Sequence, residues 1–242
     1  MSSPLIGMEK ALFIARKLRN EFIYNMAKLE GNTLSFAEAE TVICGTSVAG
    51  KRMFELHQIE HIRDSWDLLI EQVKCGAFNT TKYNFCNFNY LLAEDENEDS
   101  RGGFRQNEVA ISGTEYLPPL AVELDAKYQE LLQKIAGLPP LKAGLLFFME
   151  GARNQFFGDG NKRTSQLMMN GILMSNGYAP FTIFPKDEVA YRSKLIEFYE
   201  TGHGEEFYQF LLQQQAKVLK RFRLDDVSQE KLRQAGQTIN AD

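Results

Sequence analysis

The feature that most constrains this chain is a glycine-containing loop that runs directly into an apolar segment. Residues Gly158 to Gln166 read GDGNKRTSQ, and the run LMMNGILMSNG follows them. This run is apolar nearly all round, which predicts a central, buried helix with a stop at Asn176 and Gly177. The helix is expected to begin near Asn161. The glycine loop therefore lies at the N-terminus of a buried helix.

The residues at this helix start have the chemistry of a phosphate-binding loop. Gly158 and Gly160 let the backbone approach a ligand closely, and the first N–H groups of a helix point at whatever lies there. Lys162 and Arg163 add positive charge. Asp159 supplies one hard oxygen ligand of the kind that Mg²⁺ takes when phosphates complete its shell. The loop predicts a triphosphate site with Mg²⁺, and the alternative is a glycine loop whose basic residues face water.

The composition favours a single large domain in a reducing compartment. The 242 residues are 44% apolar, and the net charge of -5 disfavours nucleic acid and acidic membranes as partners, since both need a basic face. Cys44, Cys75 and Cys86 are odd in number and include no Cys-x-x-Cys pair, so we expect small buried hydrophobes and no disulfide framework. No apolar run reaches membrane-spanning length, and the charged N-terminus disfavours a signal peptide. We expect a cytoplasmic protein.

The spacing of apolar residues predicts a mainly helical chain. Helices are expected over residues 5–30, 35–48, 53–75 and 81–93, and then over 120–136, 141–155, 161–176, 187–201 and 205–221. Residues 104–111 alternate in polarity, Ser112-Gly113 supplies a turn, and Pro118-Pro119 stops a return strand. We therefore predict an all-α fold with one small β-hairpin, and a solvated charged loop at 94–103.

The segment around the glycine loop resembles the active-site motif of the Fic family, His-x-Phe-x-Asp/Glu-Gly-Asn-Gly/Lys-Arg-x-x-Arg. The corresponding residues here read QFFGDGNKRTSQ. Gln155 stands where the His belongs, and Gln166 stands where the second Arg belongs. Six positions agree with the pattern: Phe157, Asp159, Gly160, Asn161, Lys162 and Arg163.

Two further segments resemble the same family. Residues 28–40, KLEGNTLSFAEAE, are similar to the signature Ser/Thr-x-x-x-Glu-Gly/Asn of members that carry an inhibitory helix at the N-terminus. Glu30 fits this signature, and Met26 replaces its hydroxyl residue. Residues 102–119, GGFRQNEVAISGTEYLPP, resemble the hairpin flap that precedes the family's catalytic helices. The similar segments together span about residues 10–215.

The resemblance implies one Fic-like, all-α domain over residues 1–242. Its expected parts are inhibitory-type helices at 5–50, further helices at 51–93, the hairpin flap at 102–119, core helices at 120–221 with the nucleotide loop at 155–166, and a polar tail at 222–242.

The resemblance also implies a reaction, transfer of AMP from Mg-ATP to a hydroxyl of a protein. Asp159 would hold Mg²⁺, and Tyr191 would lie against the adenine or be a structural tyrosine. Glu30 would inhibit. The flap would hold a protein target as an added strand through Val109, Ala110, Ile111 and Ser112. The phosphates would lie against Gly158, Gly160, Asn161, Lys162, Arg163 and Gln166.

The replacement of the histidine by Gln155 bears directly on activity. The family's His takes the proton of the target hydroxyl, and an amide cannot titrate at physiological pH. Loss of a positioned general base typically slows a reaction by about 10²- to 10⁴-fold. We therefore expect weak or absent transfer. We also expect Glu30 to face the neutral Gln166 amide without its usual ion pair, or to be a solvated residue at a helix end.

Several alternatives remain open on the sequence. Transfer that depends on positioning and charge could persist without the His, so an active nucleotidyl or phosphoryl transferase is one alternative, including a Doc-like kinase suggested by Lys162. His57, Glu60 and His61 have the H-x-x-E-H spacing of some zinc proteases, which also occurs by chance on solvated helices. A protein that binds a partner through its flap and leaves the loop empty is another.

Overall fold

The computed structural model describes residues 3–93 and 101–225. Within these ranges the chain forms ten α-helices and two short 3₁₀ turns and contains no β-strand, which confirms the all-helical fold class. The helices are α1 (Met8–Lys17), α2 (Arg19–Leu29), α3 (Phe36–Ile43), α4 (Met53–Lys74), α5 (Lys82–Leu92), α6 (Leu124–Ile135), α7 (Pro140–Asn154), α8 (Asn161–Ser175), α9 (Glu188–Thr201) and α10 (Glu205–Arg221).

Helix α8 is the central element, as the sequence predicts. Its residues are buried on nearly all sides, and α1, α4, α5 and α7 pack against it. Helix α7 approaches most closely because Gly151 faces Ser165. A methyl group at Gly151 would collide with Ser165 Oγ and lie 2.9 Å from Ser165 Cβ. This packing fixes the start of α8 relative to the end of α7.

The N-terminal helices dock onto α4 through the turn that follows α2. The helix expected over residues 5–30 is divided at Leu18, which leaves the helical region with φ -102° and ψ 8°. After α2, Asn32 Nδ2 donates to the main-chain oxygen of Glu55 at 2.9 Å, and Thr33 N donates to Glu55 Oε1 at 2.8 Å. The predicted capping box at Ser35 is confirmed. These contacts place the end of α2 beside α8.

The predicted β-hairpin at residues 102–119 is not formed. The chain there is extended without strand pairing, although the turn at Ser112-Gly113 is present and Gly113 has φ 86°. Buried Arg105 satisfies carbonyl groups that a partner strand would otherwise bond, because its guanidinium donates to Asn107 O at 2.9 Å and to Pro119 O. Side-chain hydrogen bonds from Arg105 are therefore found in this segment where the sequence predicted strand pairing.

The remaining sequence predictions concern membrane-spanning helices, the cysteines and the charged segments. The described helices include none long and apolar enough to cross a membrane. Cys44 and Cys75 are exposed, so their prediction as buried residues is wrong, while burial raises the pKa of the half-buried Cys86 thiol. Most of the charged loop, residues 94–100, and most of the polar tail, residues 226–242, lie outside the described residues.

Candidate functional site

A cavity of about 320 Å³ lies where the start of α8, the end of α2, the extended segment and α9 meet. It brings together most of the predicted site residues. These are Glu30, Ala110, Ile111, Ser112, Gln155, Gly158, Asp159, Gly160, Asn161, Lys162 and Arg163. Four residues of α9 that sequence reasoning missed complete the lining: Arg192, Leu195, Ile196 and Tyr199. Val109 is not among the lining residues.

Asn161 holds the glycine loop in shape. Its Oδ1 accepts from Phe157 N at 2.8 Å, and its Nδ2 donates to Phe157 O at 2.8 Å and to Gln155 Oε1 at 3.0 Å. Both the oxygen and the nitrogen of the Asn161 side-chain amide are therefore hydrogen-bonded to residues of the loop. Asn161 supports the site by fixing the backbone, whereas the sequence motif alone suggests direct contact with phosphate.

Asn89 of α5 holds the other side of the loop. Its Nδ2 donates to Asp159 O at 2.8 Å, and its Oδ1 accepts from Gly102 N at 3.1 Å. Gly160 has φ 78°, and a Cβ atom there would lie 3.1 Å from Asn89 Nδ2. Both the left-handed backbone and the close approach explain why residue 160 is glycine. No local pattern in the sequence links Asn89 to this loop.

The predicted metal residue, Asp159, is bonded to Arg163 in the first turn of α8. Arg163 Nη2 donates to Asp159 Oδ1 and Oδ2 at 2.9 and 2.8 Å, and Arg163 Nη1 donates to Leu92 O at 3.2 Å. The Arg163 side chain is buried, while that of Asp159 is 49% exposed. Within residues 3–93 and 101–225, no three His, Cys, Asp or Glu residues cluster as a metal site. A metal ion at Asp159 would need most of its ligands from a bound molecule.

Glu30 reaches the cavity and pairs with Lys162. The distance from Lys162 Nζ to Glu30 Oε1 is 3.3 Å, with 30% and 20% of the two side chains exposed. Glu30 therefore forms an ion pair with Lys162, a partner that the sequence did not predict. Gln166 is buried and lines only a small void that it shares with Glu30 and Tyr191.

Gln155 occupies the position of the missing base with a fixed side chain. It follows α7 in the left-handed conformation, with φ 48° and ψ 60°. Its Nε2 donates to Ala152 O at 2.6 Å, and its Oε1 accepts from Asn161 Nδ2 at 3.0 Å. Its main-chain oxygen accepts from Arg105 Nε at 2.7 Å. The amide is thus held in one orientation at the cavity wall.

Tyr191 is a structural residue. It is buried, and its ring packs 6.0 Å from Phe207 and 6.3 Å from Phe210. Burial raises the pKa of its hydroxyl. It lines the small void and not the main cavity, so the prediction that it contacts a base is corrected.

Tyr199 lines the main cavity in its place. Burial is the main reason that its pKa is raised, and the nearby Glu30 charge raises it further. Tyr116 of the extended segment stacks on Tyr199 with ring centres 6.1 Å apart, and the Arg153 guanidinium lies 4.4 Å from the Tyr116 ring centre. This stack ties the extended segment to α9.

The α9 residues of the cavity share one helix face. Arg192, Leu195, Ile196 and Tyr199 follow the spacing i, i+3, i+4 and i+7, which places side chains on the same side of a helix. This periodicity was the one sequence signal that could have identified them. Arg192 Nε donates to Glu188 Oε1 at 2.8 Å, and Arg192 Nη2 donates to Leu29 O at 2.9 Å.

The zinc alternative finds no support in the geometry. His57 and His61 lie on α4 with ring centres 6.3 Å apart, and neither lines the cavity. The described part of the chain offers no cluster of three ligands that includes them.

Comparison with known proteins agrees with the sequence motif and the fold. A model of the Fic/DOC family matches residues 79–173. The chain is 27% identical over 187 residues to Protein adenylyltransferase Fic of Drosophila erecta, which covers 74% of this chain and 36% of that protein. It is 26% identical over 209 residues to the protein of the same name from Drosophila mojavensis, covering 82% and 40%. The chain thus spans well under half the length of these relatives.

Solved structures show the same fold. Fic-1 (residues 134–508) from C. elegans superimposes with a TM-score of 0.72 at 16% identity, covering 86% of this chain and 64% of the other. A Fic domain containing signaling protein from Bacteroides thetaiotaomicron gives a TM-score of 0.73 at 19% identity, covering 86% of both chains. The shared motif, fold and family match agree: residues 79–173 match the Fic/DOC family, and the chain has the fold of solved Fic proteins.

Proposed function

We propose that the cavity binds Mg²⁺ with ATP or another nucleotide, and that the chain transfers AMP to a protein hydroxyl weakly or not at all. The curated relatives are named protein adenylyltransferases, which supplies the reaction class. The observation that carries the proposal is the fixed Gln155 amide beside a helix start suited to phosphate. The site combines a complete anion cradle with a residue that cannot act as a base.

The start of α8 supplies the phosphate contacts. The first bond within the helix runs from Thr164 N to Gly160 O at 2.8 Å, so the preceding N–H groups of the helix have no partner within it. These groups and the positive end of the helix dipole attract anions. Lys162 adds an ammonium group at the same wall of the cavity. A polyphosphate would lie across this helix start.

The donor set at Asp159 fits a cation that is carried by the nucleotide. Mg²⁺ is usually bound through one or two carboxylates together with phosphate oxygens and water. Asp159 is half-exposed at the cavity, where its carboxylate bonds to Arg163. When bound, the ion would neutralise phosphate charge. Asp159 would hold it, and Arg163 would hold Asp159.

Gln155 limits the transfer step. A target hydroxyl that attacks the α-phosphate forms an O–P bond while pyrophosphate leaves, and its proton must go to an acceptor. The Gln155 amide takes no proton, and its oxygen already accepts from Asn161. The reaction would depend on positioning and electrostatic stabilisation alone. This is why we expect slow transfer, and why an active enzyme that works without the His remains the second candidate.

The extended segment would present the target. Ala110, Ile111 and Ser112 line the cavity, so a peptide bonded to this backbone would bring a side chain to the cavity rim. The absence of strand pairing within the described part of this segment leaves main-chain groups for such a peptide. A protein partner is therefore proposed to dock along residues 109–112.

Glu30 would act as the brake through Lys162. The carboxylate occupies the ammonium group that a phosphate would otherwise use, and its negative charge repels a polyphosphate. Nucleotide binding would require Glu30 to give up this ion pair. The inhibitory contact would thus involve Lys162, whereas in the family pattern it involves the second Arg.

Titration calorimetry with ATP, with and without Mg²⁺, tests the proposal. We expect binding by the wild type, weaker binding by Lys162→Ala, and loss of the Mg²⁺ dependence in Asp159→Ala. Lys127→Ala is the matched control, because Lys127 lies on α6 and pairs with Glu130 at 2.8 Å away from the cavity. If neither the wild type nor Glu30→Ala bound any nucleotide with Mg²⁺, the proposed function would be wrong.

A further inference from the structure

The α9 wall of the cavity has the features of a base-binding surface. Leu195 and Ile196 are apolar and can pack against a flat ring, while Arg192 and Tyr199 on the same helix face are polar. The phosphate contacts lie at the start of α8, so the α9 residues form a chemically different wall of the same cavity. A nucleotide with its phosphates at α8 would place its base against α9.

Arg192 is held in place before any ligand arrives. Its Nε donates to Glu188 Oε1 at 2.8 Å, and its Nη2 donates to Leu29 O at 2.9 Å, although the side chain remains 49% exposed. These two bonds fix the plane of the guanidinium. Among the residues that the structure describes, none accepts from Nη1. Nη1 and one hydrogen of Nη2 therefore remain as donors that are available to a ligand.

We infer that Arg192 is a specificity-determining residue and that the site favours a 6-oxopurine nucleotide, such as GTP, over ATP. The inference rests on the proposed nucleotide site and concerns which base it accepts. Arginine only donates hydrogen bonds, and guanine presents two neighbouring acceptors, O6 and N7. Adenine presents N7 beside the N6 amino group, which is itself a donor. An adenine placed in the same way would leave one Arg192 donor facing another donor.

Tyr191 does not compete for this role, because it is buried against Phe207 and Phe210 and lies outside the main cavity. The exposed side chain next to it in sequence, Arg192, is the one that faces the ligand space. Replacement by a residue with both a donor and an acceptor should reverse the preference, since glutamine pairs with adenine N6 and N7.

The test is titration calorimetry of the full chain with GTP, ATP and tripolyphosphate in Mg²⁺, in the wild type and in Glu30→Ala. A bidentate contact discriminates between bases by about 1–3 kcal/mol, which corresponds to about 5- to 150-fold in Kd. We expect GTP to bind at least about fivefold more tightly than ATP. Arg192→Ala should bring the ratio close to one while tripolyphosphate binding is unchanged, and Arg192→Gln should favour ATP.

Lys194→Ala is the matched control, because Lys194 also lies on α9 but pairs with Glu206 at 2.6 Å outside the cavity. Tighter binding of ATP than GTP by the wild type would overturn the inference and leave the nucleotide site intact. An equal loss for all three ligands in Arg192→Ala would show a phosphate contact and would also overturn it. No binding of any nucleotide would instead remove the proposed function on which it rests.

Discussion

At the scale of single residues, the site is defined by an amide where a base is expected. Gln155 is held by hydrogen bonds with Asn161 and Ala152, so its substitution changes the chemistry of the site and also the way the loop is held. A histidine at this position is compatible with the backbone, because His is among the residues that adopt left-handed conformations more readily than most. The position can therefore be converted without rebuilding the loop.

We predict that Gln155→His increases transfer activity. In a Glu30→Gln background, the imidazole would supply the missing base, and label transfer from α-labelled nucleotide to protein should rise by about 10²- to 10⁴-fold. The measurement is incorporation of label into lysate proteins, with Gln155→Asn as the control that retains an amide. Unchanged incorporation in the His variant would show that the site lacks more than a proton acceptor.

Glu30 provides the second prediction at this scale. Glu30→Gln removes the charge that pairs with Lys162 and keeps the size of the side chain. Because both partners are partly exposed, the ion pair is worth about 0.5–1 kcal/mol, so nucleotide affinity should rise by about two- to fivefold. Calorimetry on Glu21→Gln, which lies on the same helix and pairs with Arg221 at 2.6 Å, gives the control. A weaker affinity in Glu30→Gln would contradict the role of a brake.

At the scale of elements, the close contact of α7 and α8 holds the site together. Gly151→Ala should lower the free energy of unfolding by about 1–3 kcal/mol, since the added methyl group collides with Ser165 and forces the helices apart. This loss opposes the gain of about 1 kcal/mol in helix propensity. Urea denaturation measures the difference.

The matched control for that prediction lies on the same helix. At Gly144 an added methyl group would lie 3.3 Å from Leu173 Cδ2 and from Met169 O, a tight contact that small movements can relieve. Gly144→Ala should therefore change the free energy of unfolding by less than about 1 kcal/mol. Equal losses at the two positions would indicate that helix spacing does not explain the glycine at 151.

The extended segment depends on one buried arginine. Arg105→Met would leave the main-chain oxygens of Gln155, Asn107 and Pro119 without their guanidinium donor. We expect a loss of about 2–4 kcal/mol in the free energy of unfolding. Hydrogen exchange at Arg105 N, which donates to Phe156 O at 2.9 Å, should also speed up. Arg16→Met on the exposed face of α1 is the control, and it should alter neither measurement.

The elements differ in how well the sequence predicts them. From α4 onward the helices begin and end within about two residues of their predicted limits, because buried faces, caps and prolines act locally. The exception is α6, which begins at Leu124, four residues after its predicted start, because a 3₁₀ turn precedes it. The hairpin was predicted from alternation and turn residues, which are equally local. In the structure the segment is instead held by Arg105, which donates to Asn107 O and Pro119 O, and alternating polarity does not indicate these contacts.

At the scale of the whole molecule, the site residues that are adjacent in the sequence could be predicted. Those that distant helices contribute could not. Gln155 and residues 158–163 are close together in sequence, and they line the cavity. Asn89, Arg105 and the α9 face reach the site only when distant helices pack together. The same packing buries Tyr191 outside the cavity. The sequence motif could not predict this, because it does not indicate which side of α9 is buried. Glu30 was placed correctly, but its partner depends on where α2 docks.

The docking of α2 also makes the stability of the molecule depend on pH. Hydrogen bonds from Thr33 to the buried Glu55 carboxylate lower the pKa of Glu55 below its usual value of 4.5. A carboxyl group with a lowered pKa in the folded state stabilises the protein above its unfolded pKa, and this contribution is lost as the pH falls through the folded value. We therefore predict that the free energy of unfolding declines as the pH is lowered below 4.5.

Urea denaturation at a series of pH values measures this decline in the wild type and in Glu55→Gln. The amide cannot titrate, so the variant should be less stable near neutral pH and should lose less stability on acidification. Glu9→Gln on the exposed face of α1 is the matched control, and it should reproduce the wild-type slope. Because Thr33 follows Glu30 by three residues, acidification should also loosen the end of α2, and nucleotide affinity should then rise in the wild type more than in Glu55→Gln. Parallel pH profiles for these two proteins would show that the contact between Thr33 and Glu55 does not hold the N-terminal helices against the site.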